Sequence, residues 1–199
     1  MKVVLDWDGT ATEEDTLVMV LGRFGDWEVY QRAAAALDRG EITLNEEILR
    51  DFAPVTAPVD EVAAWLLEQV RLRPGFRELA ESHRPLVVSS GFHELIEPIL
   101  AREGLSLEVR ANRIDARPDG WRVRFRNEDE CRTCGEPCKR ADLPAGEQIV
   151  YVGDGYSDRC AAQAADLIFA RDGLARYLDS RGLRYEPFAD LLDVLHALS

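Results

Sequence analysis

The sequence predicts an α/β fold in which a parallel sheet lies between helical layers and a small helical cap is inserted after the first strand. Residues 2–6 form a short apolar run that ends in an acid, which is typical of a buried strand. Residues 15 to about 70 place their apolar side chains at helical spacing. After Pro74-Gly75, strand and helix patterns alternate, which favours a three-layer parallel sheet that carries the helical block as an insertion.

The inserted block divides into about four short helices, since Gly25, Gly40 and Pro54 interrupt its apolar periodicity. No segment of the block alternates with period two, so no strand is predicted in it. We therefore expect two domains. The core comprises residues 1–14 and 74–199, and the cap comprises residues 15–73.

The core continues beyond the insertion with five further predicted strands. The apolar run at 85–88 predicts one strand, and Ser89-Ser90-Gly91 predicts a turn after it. Residues 105–111 and 121–125 alternate on either side of Pro118-Asp119-Gly120, which predicts a hairpin. The remaining predicted elements are a strand at 148–152, a helix at 157–165, a strand at 167–170 and two closing helices.

The composition excludes several kinds of partner. The 199 residues are 46% hydrophobic and 31% charged, as in ordinary globular chains, and their formal net charge is -13. This charge repels nucleic-acid backbones and anionic membranes. No apolar run reaches the roughly 18 residues of a membrane helix, and the first one is too short for a signal peptide. We therefore expect a cytoplasmic protein, either a monomer or a homodimer.

Several predicted strands end in polar residues. Asp6 and Asp8 follow the first strand, Ser89 follows the second, and Asp154 and Asp158 follow a later one. In an open parallel sheet such ends meet at one edge, where ligands bind. Carboxylates that meet there repel one another unless a hard cation such as Mg²⁺ lies among them.

Lysine is rare in this chain, because only Lys2 and Lys139 contribute to its 24 basic residues. Composition alone leaves open whether Lys139 survives by chance or because a compact ammonium is required there. Carboxylates, Mg²⁺, a lysine and a serine-glycine turn before a helix together describe a site of phosphoryl transfer. Asp6 can be the nucleophile there. Asp8, two residues on in extended backbone, points the same way and can protonate the leaving group.

In combination, these residues resemble the four motifs of the haloacid dehalogenase-like superfamily, in the branch that contains phosphoserine phosphatase. The motifs are Asp6-Trp7-Asp8-Gly9-Thr10, Ser89, Lys139 and Gly153-Asp154-Gly155-Tyr156-Ser157-Asp158. The resemblance covers nearly the whole chain. It implies a Rossmann-like core with a helical cap, a Mg²⁺ cofactor and a small phosphorylated metabolite as substrate.

The resemblance also implies a role for each motif residue. Asp6 is the nucleophile, and Asp8 is the general acid and base. Mg²⁺ binds Asp6, the main-chain carbonyl of Asp8, and Asp154, while Asp158 supports Lys139 or the metal-bound waters. The phosphoryl group is held by Ser89, Ser90, Gly91 and Lys139. Ser90 stands where phosphoserine phosphatases usually have glycine, which counts against phosphoserine as the substrate.

Two further segments resemble particular phosphatases. Residues 166–172 and the cysteine-rich loop are similar to the methionine-salvage phosphatases of 2-hydroxy-3-keto-5-methylthiopentenyl-1-phosphate. The loop, together with residues 151–155, also resembles the phosphocholine or phosphoethanolamine and pyridoxal phosphate phosphatases. The first activity is therefore the expected one, and phosphoserine phosphatase or another small phosphomonoesterase is the alternative. A phosphotransferase and a non-catalytic protein that binds a phosphorylated ligand are minor alternatives.

Asp15 has two interpretations. It stands where phosphoserine phosphatases place an acid that contacts the substrate amine. An N-cap or first-turn acid of the first cap helix explains the residue equally well.

The four cysteines form a pattern of their own. They are Cys131, Cys134, Cys138 and Cys160. In a cytosolic chain this spacing favours a metal site or free thiols over disulfides. A four-thiolate Zn²⁺ site and reduced thiols remain the two main interpretations, and a disulfide is the third.

Overall fold

The computed structural model describes residues 1–199 and confirms the predicted fold class. Its strands are β1 (Lys2–Leu5), β2 (Leu86–Phe92), β3 (Val109–Arg117), β4 (Gly120–Arg124), β5 (Ile149–Gly153), β6 (Leu167–Ala170) and β7 (Glu186–Pro187). Its helices are α1 (Thr16–Phe24), α2 (Trp27–Asp38), α3 (Leu44–Phe52), α4 (Val59–Gln69), α5 (Phe76–His83), α6 (His93–Arg102), α7 (Arg159–Ala162), α8 (Asp172–Ser180) and α9 (Leu191–Leu198). None of these helices has the length and apolar character that a bilayer crossing requires.

All seven strands belong to one sheet, in the order β4-β3-β2-β1-β5-β6-β7. Every neighbouring pair is parallel except the β3–β4 hairpin. Val3 and Leu5 of β1 pack into a cluster on one face and Val4 into a cluster on the other, because successive strand side chains point to opposite faces. Because β1 pairs with both β2 and β5, its carboxyl end lies in the middle of the sheet.

The helices α1–α4 lie between β1 and β2 in the chain, where the cap is predicted. The first turns of α1, α2 and α3 are capped by side chains, which explains where these three helices begin. Asp15 caps α1 and Asp26 caps α2, while Thr43 and Glu46 form a reciprocal capping box at α3. The domain limits at residues 14 and 74 stay a prediction.

Arg73 fastens the end of this insertion to the turn after β1. Its guanidinium is buried and donates hydrogen bonds to the main-chain oxygens of Gly9 at 2.6 Å, Thr10 at 2.8 Å and Thr12 at 3.0 Å. Its main-chain N–H donates to the oxygen of Ala11 at 2.8 Å. The turn that follows the first strand is therefore braced by a residue about sixty positions later in the chain.

Several predicted boundaries are wrong. Residues 89–91 continue β2 to Phe92 with a shift of register against β3, so they do not form a separate turn. The first hairpin strand begins at Val109 instead of 105, and the helix at 157–165 is a 3₁₀ turn followed by the short α7. The two-residue edge strand β7 was not predicted. Pairing with a neighbouring strand outweighs the local preferences on which such predictions depend.

Gly120 begins β4 where the hairpin touches the cap. Its φ is +128°, and a Cβ there would overlap the main-chain oxygen of Ala53. The indole of Trp121 donates to the Ala57 oxygen at 2.9 Å, so the backbone has little room to retreat. We expect Gly120→Ala to lower the free energy of unfolding by about 2 kcal/mol or more in urea denaturation. Gly104→Ala, at φ +69° in open space, should cost only about 1 kcal/mol, and equal losses would contradict this packing argument.

Candidate active site

The turn after β1 brings Asp6 to the centre of the carboxyl edge. The Asp6 N–H donates to the Val152 oxygen at 2.9 Å, so the carboxyl side chain begins where β1 and β5 lie side by side. Gly9 in this turn has φ +73°, and a Cβ there would lie 2.6 Å from Oδ2 of Asp154. The Thr10 hydroxyl donates to Oδ1 of Asp154 at 2.9 Å. Glycine at position 9 therefore lets Asp154 approach the turn closely.

Lys139 lies between two buried carboxylates, although 133 residues separate it from Asp6. Its ammonium is 1% exposed and donates to Asp6 and, at 2.7 Å, to Oδ1 of Asp158. Burial opposes this charge, but the carboxylates of Asp158 and Asp6 raise the pKa of Lys139 above its ordinary value. Burial likewise opposes the charge of Asp158, yet the ammonium lowers the pKa of that carboxyl.

Asp158 is held by further hydrogen bonds. It accepts from the hydroxyl of Tyr151 at 2.7 Å and from the N–H groups of Asp154 at 3.1 Å and Gly155 at 3.0 Å. These donors satisfy an anion that is fully buried. The arrangement suits a carboxylate that orients Lys139.

The donor set at this edge fits Mg²⁺. Asp6, Asp154 and Asp158 each place a carboxylate oxygen within 4.8 Å of the other two. Burial and the charge of Asp158 raise the pKa of Asp6 well above its ordinary value, and the same causes raise the pKa of Asp154 to about 6. One ammonium among three carboxylates leaves negative charge uncompensated. Crowded oxygen donors of this kind are what a hard divalent cation takes.

The carboxyl of Asp8 makes its hydrogen bonds outside that cluster. It accepts from the N–H of Thr16 at 3.1 Å, from the Thr16 hydroxyl and from the Ser89 hydroxyl at 3.2 Å. Burial, with the charge of Asp15 as the next cause, raises the pKa of Asp8 to about 7. A carboxyl with this pKa can both give and take a proton near neutral pH.

The segment 89–91 faces the same space. The Ser89 hydroxyl is buried and accepts from the Gly91 N–H at 2.8 Å, so it orders the backbone beside Asp8. The main-chain oxygen of Ser90 accepts from the Asn112 amide at 2.8 Å, and Ser90 lines the cavity above the aspartates. The predicted roles of these three residues in phosphoryl binding stay predictions.

A cavity of 250 Å³ extends from these aspartates to the cap helices. Its wall on the core side includes Asp6, Asp8, Ser90, Asp154, Gly155, Tyr156 and Ser157. Its wall on the cap side consists of Asp15, Leu17, Val18, Leu21, Tyr30, Leu37, Leu44, Glu47, Ile48, Asp51 and Phe52. A ligand bound at the aspartates would therefore extend toward the cap.

Asp15 combines both of its interpretations. Its carboxylate accepts from the N–H of Val18 at 2.9 Å as the N-cap of α1, and the residue also lines the cavity. The N-cap bond accounts for its position without a ligand. Its contact with a substrate stays a prediction.

The four cysteines come together beside Lys139. Their Sγ atoms all lie within 4.8 Å of one another, and those of Cys131 and Cys160 are 3.8 Å apart. No disulfide joins them. Cys160 comes from α7, whereas the other three lie in the loop that leads into Lys139.

Several residues that shape the site were not predicted from the sequence. Thr10 and Thr16 hold the aspartates, Tyr151 supports Asp158, and Glu47 and Asp51 line the cap side of the cavity. The two threonines stand in or near the first motif and could have been suspected from that position. No sequence signal distinguishes Glu47 and Asp51, because acidic residues are common on the exposed faces of helices.

Comparison with known proteins identifies the family. The haloacid dehalogenase-like hydrolase family matches residues 3–163. The chain belongs to this family. As predicted, it is a phosphoric monoester hydrolase.

Relatives extend over nearly the whole chain. A 2-hydroxy-3-keto-5-methylthiopentenyl-1-phosphate phosphatase of Geobacillus kaustophilus (strain HTA426) is 31% identical over 97% of this chain and 93% of its own length. A polyol phosphate phosphatase, PYP1, of Saccharomyces cerevisiae is 29% identical over 98% of this chain and 91% of its own. A substrate-bound phosphoserine phosphatase structure has a TM-score of 0.70 at 18% identity, with 98% of this chain and 97% of that one covered. That likeness concerns the fold alone.

Proposed function

We propose that this protein is a Mg²⁺-dependent phosphatase that cleaves a small phosphorylated metabolite through an aspartyl-phosphate on Asp6. One observation carries the proposal. The carboxylate of Asp6 lies at the floor of the cavity, beside the Lys139 ammonium and the carboxylate of Asp154. A buried carboxylate next to a fixed cation and a cation-binding cluster suits attack on an anionic phosphoryl group.

In this proposal Asp6 attacks phosphorus, and Asp8 transfers the protons. In the first step, an Asp6 oxygen bonds to phosphorus while the bond from phosphorus to the leaving oxygen breaks, and Asp8 gives its proton to that oxygen. In the second step, Asp8 takes a proton from water as the water oxygen bonds to the phosphorus of the aspartyl-phosphate and the bond from phosphorus to the Asp6 oxygen breaks. Asp6 is then regenerated and inorganic phosphate leaves. The pKa of Asp8, raised to about 7 by burial, supports both transfers.

The other residues bind and orient. Lys139, Ser89, Ser90 and Gly91 would hold the phosphoryl oxygens, and Asp158 would keep Lys139 in place. Asp6, the main-chain carbonyl of Asp8, and Asp154 would hold Mg²⁺, which when bound offsets the charge of the phosphoryl oxygens. In this proposal the cap, residues 15–73, covers the core of residues 1–14 and 74–199 and excludes water during the reaction.

The relatives suggest which substrate to test first. Several of them are named for 2-hydroxy-3-keto-5-methylthiopentenyl-1-phosphate, a phosphate ester whose alcohol part is uncharged. Phosphoserine is less well supported, because the cavity wall contains no lysine, arginine or histidine to pair with a carboxylate. We place the enzyme in the cytoplasm as part of this proposal.

Removal of the metal tests the function directly. In a panel of phosphorylated metabolites, excess chelator is expected to abolish phosphate release, and added Mg²⁺ is expected to restore it. Ca²⁺ should bind but support turnover poorly, because its longer and looser coordination misplaces Asp6. Full activity in excess chelator would overturn the metal assignment, and the absence of any hydrolysed ester with Mg²⁺ present would overturn the activity.

We also propose that the four cysteines hold a structural Zn²⁺. With Zn–S bonds of about 2.3 Å, the sulfurs of a tetrahedral site lie about 3.8 Å apart, which is close to the spacing here. The Cys131 sulfur accepts from the Thr133 N–H at 3.4 Å, and the chain turns back at Gly135, whose φ is +81°. Cys138 directly precedes Lys139, so such a site would anchor the lysine.

Metal analysis of the purified chain tests the zinc site. Protein prepared without chelators is expected to contain about one zinc per chain. Cys134→Ser should lose most of it and melt at a lower temperature, because a structural metal contributes to folding. Arg132→Ala alters an exposed neighbour in the same loop and should keep the metal. The proposal would be contradicted by a wild-type protein that contains no zinc, has four reactive thiols and melts at the same temperature as Cys134→Ser.

A further inference from the structure

The charged residues that line the cavity above the aspartates are all acidic. Six carboxyl residues line it, namely Asp6, Asp8, Asp15, Glu47, Asp51 and Asp154. No lysine, arginine or histidine lies among its lining residues. Lys139 is not among the lining residues, and its ammonium is already shared between Asp6 and Asp158. The cap side of the cavity therefore has no cation of its own.

Asp51 is a lining residue whose buried carboxyl is not fully paired within the protein. It is 5% exposed, and its Oδ1 atom is buried without any hydrogen-bond partner. Burying an unpartnered charged oxygen is costly, and such an atom on a cavity wall points to a missing donor. Asp51 lines the cavity, so a ligand bound there can supply that donor.

Glu47 lies one helical turn before Asp51 on α3, so both carboxyls face the same way. Burial raises the pKa of each to about 7, and repulsion from Glu47 adds to the shift at Asp51. Two like charges at this spacing destabilise a helix unless a cation offsets them. The arrangement favours a ligand that brings positive charge.

The surroundings of the two acids suit an organic ammonium. Tyr30 and Phe52 line the same wall, and the faces of such rings attract cations. Burial and the carboxylates of Asp15, Glu47 and Asp51 raise the pKa of Tyr30, so its hydroxyl shares their negative environment. Carboxylates and aromatic rings in one wall both attract an organic ammonium.

We propose that Glu47 and Asp51 form a subsite for a cationic nitrogen in the alcohol part of the substrate, which makes the substrate a phosphate monoester of an amino alcohol. This inference rests on the proposed phosphatase activity. It differs from the ester with an uncharged alcohol part that the relatives suggest. A carboxylate in the same alcohol part would be repelled.

Matched esters test the charge preference. Phosphoethanolamine carries an ammonium that donates hydrogen bonds, and phosphocholine carries a cationic nitrogen without N–H groups. Propyl phosphate has an uncharged alcohol part, ribitol 5-phosphate carries hydroxyls, and phosphoserine carries a carboxylate beside its ammonium. We expect kcat/KM for phosphoethanolamine, whose ammonium can donate to Asp51, to exceed that for propyl phosphate by about 10- to 100-fold. Asp51→Asn and Glu47→Gln should each remove most of this preference. Glu68→Gln, which removes an exposed charge from α4, should keep it.

Binding to the Asp6→Asn chain separates this inference from the proposed activity. Calorimetry on that variant should show phosphoethanolamine binding about tenfold or more tightly than propyl phosphate, whether or not any ester is hydrolysed. Equal affinity and equal kcat/KM for phosphoethanolamine and propyl phosphate would overturn the subsite while leaving the phosphatase intact. A preference for ribitol 5-phosphate that depends on Glu47 would also overturn it, since the acids would then accept hydroxyl hydrogen bonds. If Asp51→Asn does not fold, the half-buried Glu47→Gln provides the same comparison.

Discussion

Asp6→Asn is expected to abolish phosphate release, with a loss of at least about 10⁴-fold in kcat. Asparagine keeps the shape of the side chain but has no carboxylate oxygen that can bond to phosphorus. The fold should survive, because burial and the charges of Asp158 and Asp154 already disfavour an anion at this position. Lys139 retains its 2.7 Å bond to Asp158 in the variant.

Single-turnover phosphate release and a thermal melt check this result. The exposed acid Asp129 supplies the matched control, and Asp129→Asn should have wild-type kinetics. If Asp6→Asn turned over within about tenfold of the wild-type rate, the covalent mechanism would be wrong. A loss of activity together with a collapsed melting transition would instead show that Asp6 is needed for folding.

Lys139→Arg should lower kcat by about a hundredfold even though it keeps the positive charge. The ammonium is 1% exposed and fits between the carboxylates of Asp6 and Asp158. A guanidinium is wider and planar, so it must displace one of these partners. A shift on the order of 1 Å at the nucleophile can cost about a hundredfold in rate.

The other lysine provides the comparison for this substitution. Lys2 lies at the start of β1, where its ammonium is solvent-accessible and donates to the Arg84 main-chain oxygen at 3.0 Å. Arginine can make the same bond, so Lys2→Arg should have wild-type kinetics and melting temperature. Near-wild-type kinetics for both variants would mean that the scarcity of lysine carries no information and that Lys139 has another role.

The sequence alone was enough to predict the order of the elements that carry the motifs. Short apolar runs that end in Asp6 and before Asp154 mark central parallel strands, since such runs form only where both faces are covered. The helical periodicity between 15 and 70 predicted a cap with no strand. The residues of the first and last motifs could be assigned to one edge because parallel strands present their carboxyl ends together.

Other features depend on contacts that no local pattern describes. Lys139 meets Asp6 across 133 positions, Cys160 joins Cys131 across 29, and Asp51 becomes a buried cavity wall only when α3 packs over the core. Side-chain periodicity reports which face of an element is apolar, but it does not report which partner that face meets. The sequence by itself thus determined the fold class and the motif residues. The tertiary structure decided which charges are paired, which are left facing the cavity, and therefore which ligand we propose, because pairing and burial depend on packing between distant segments.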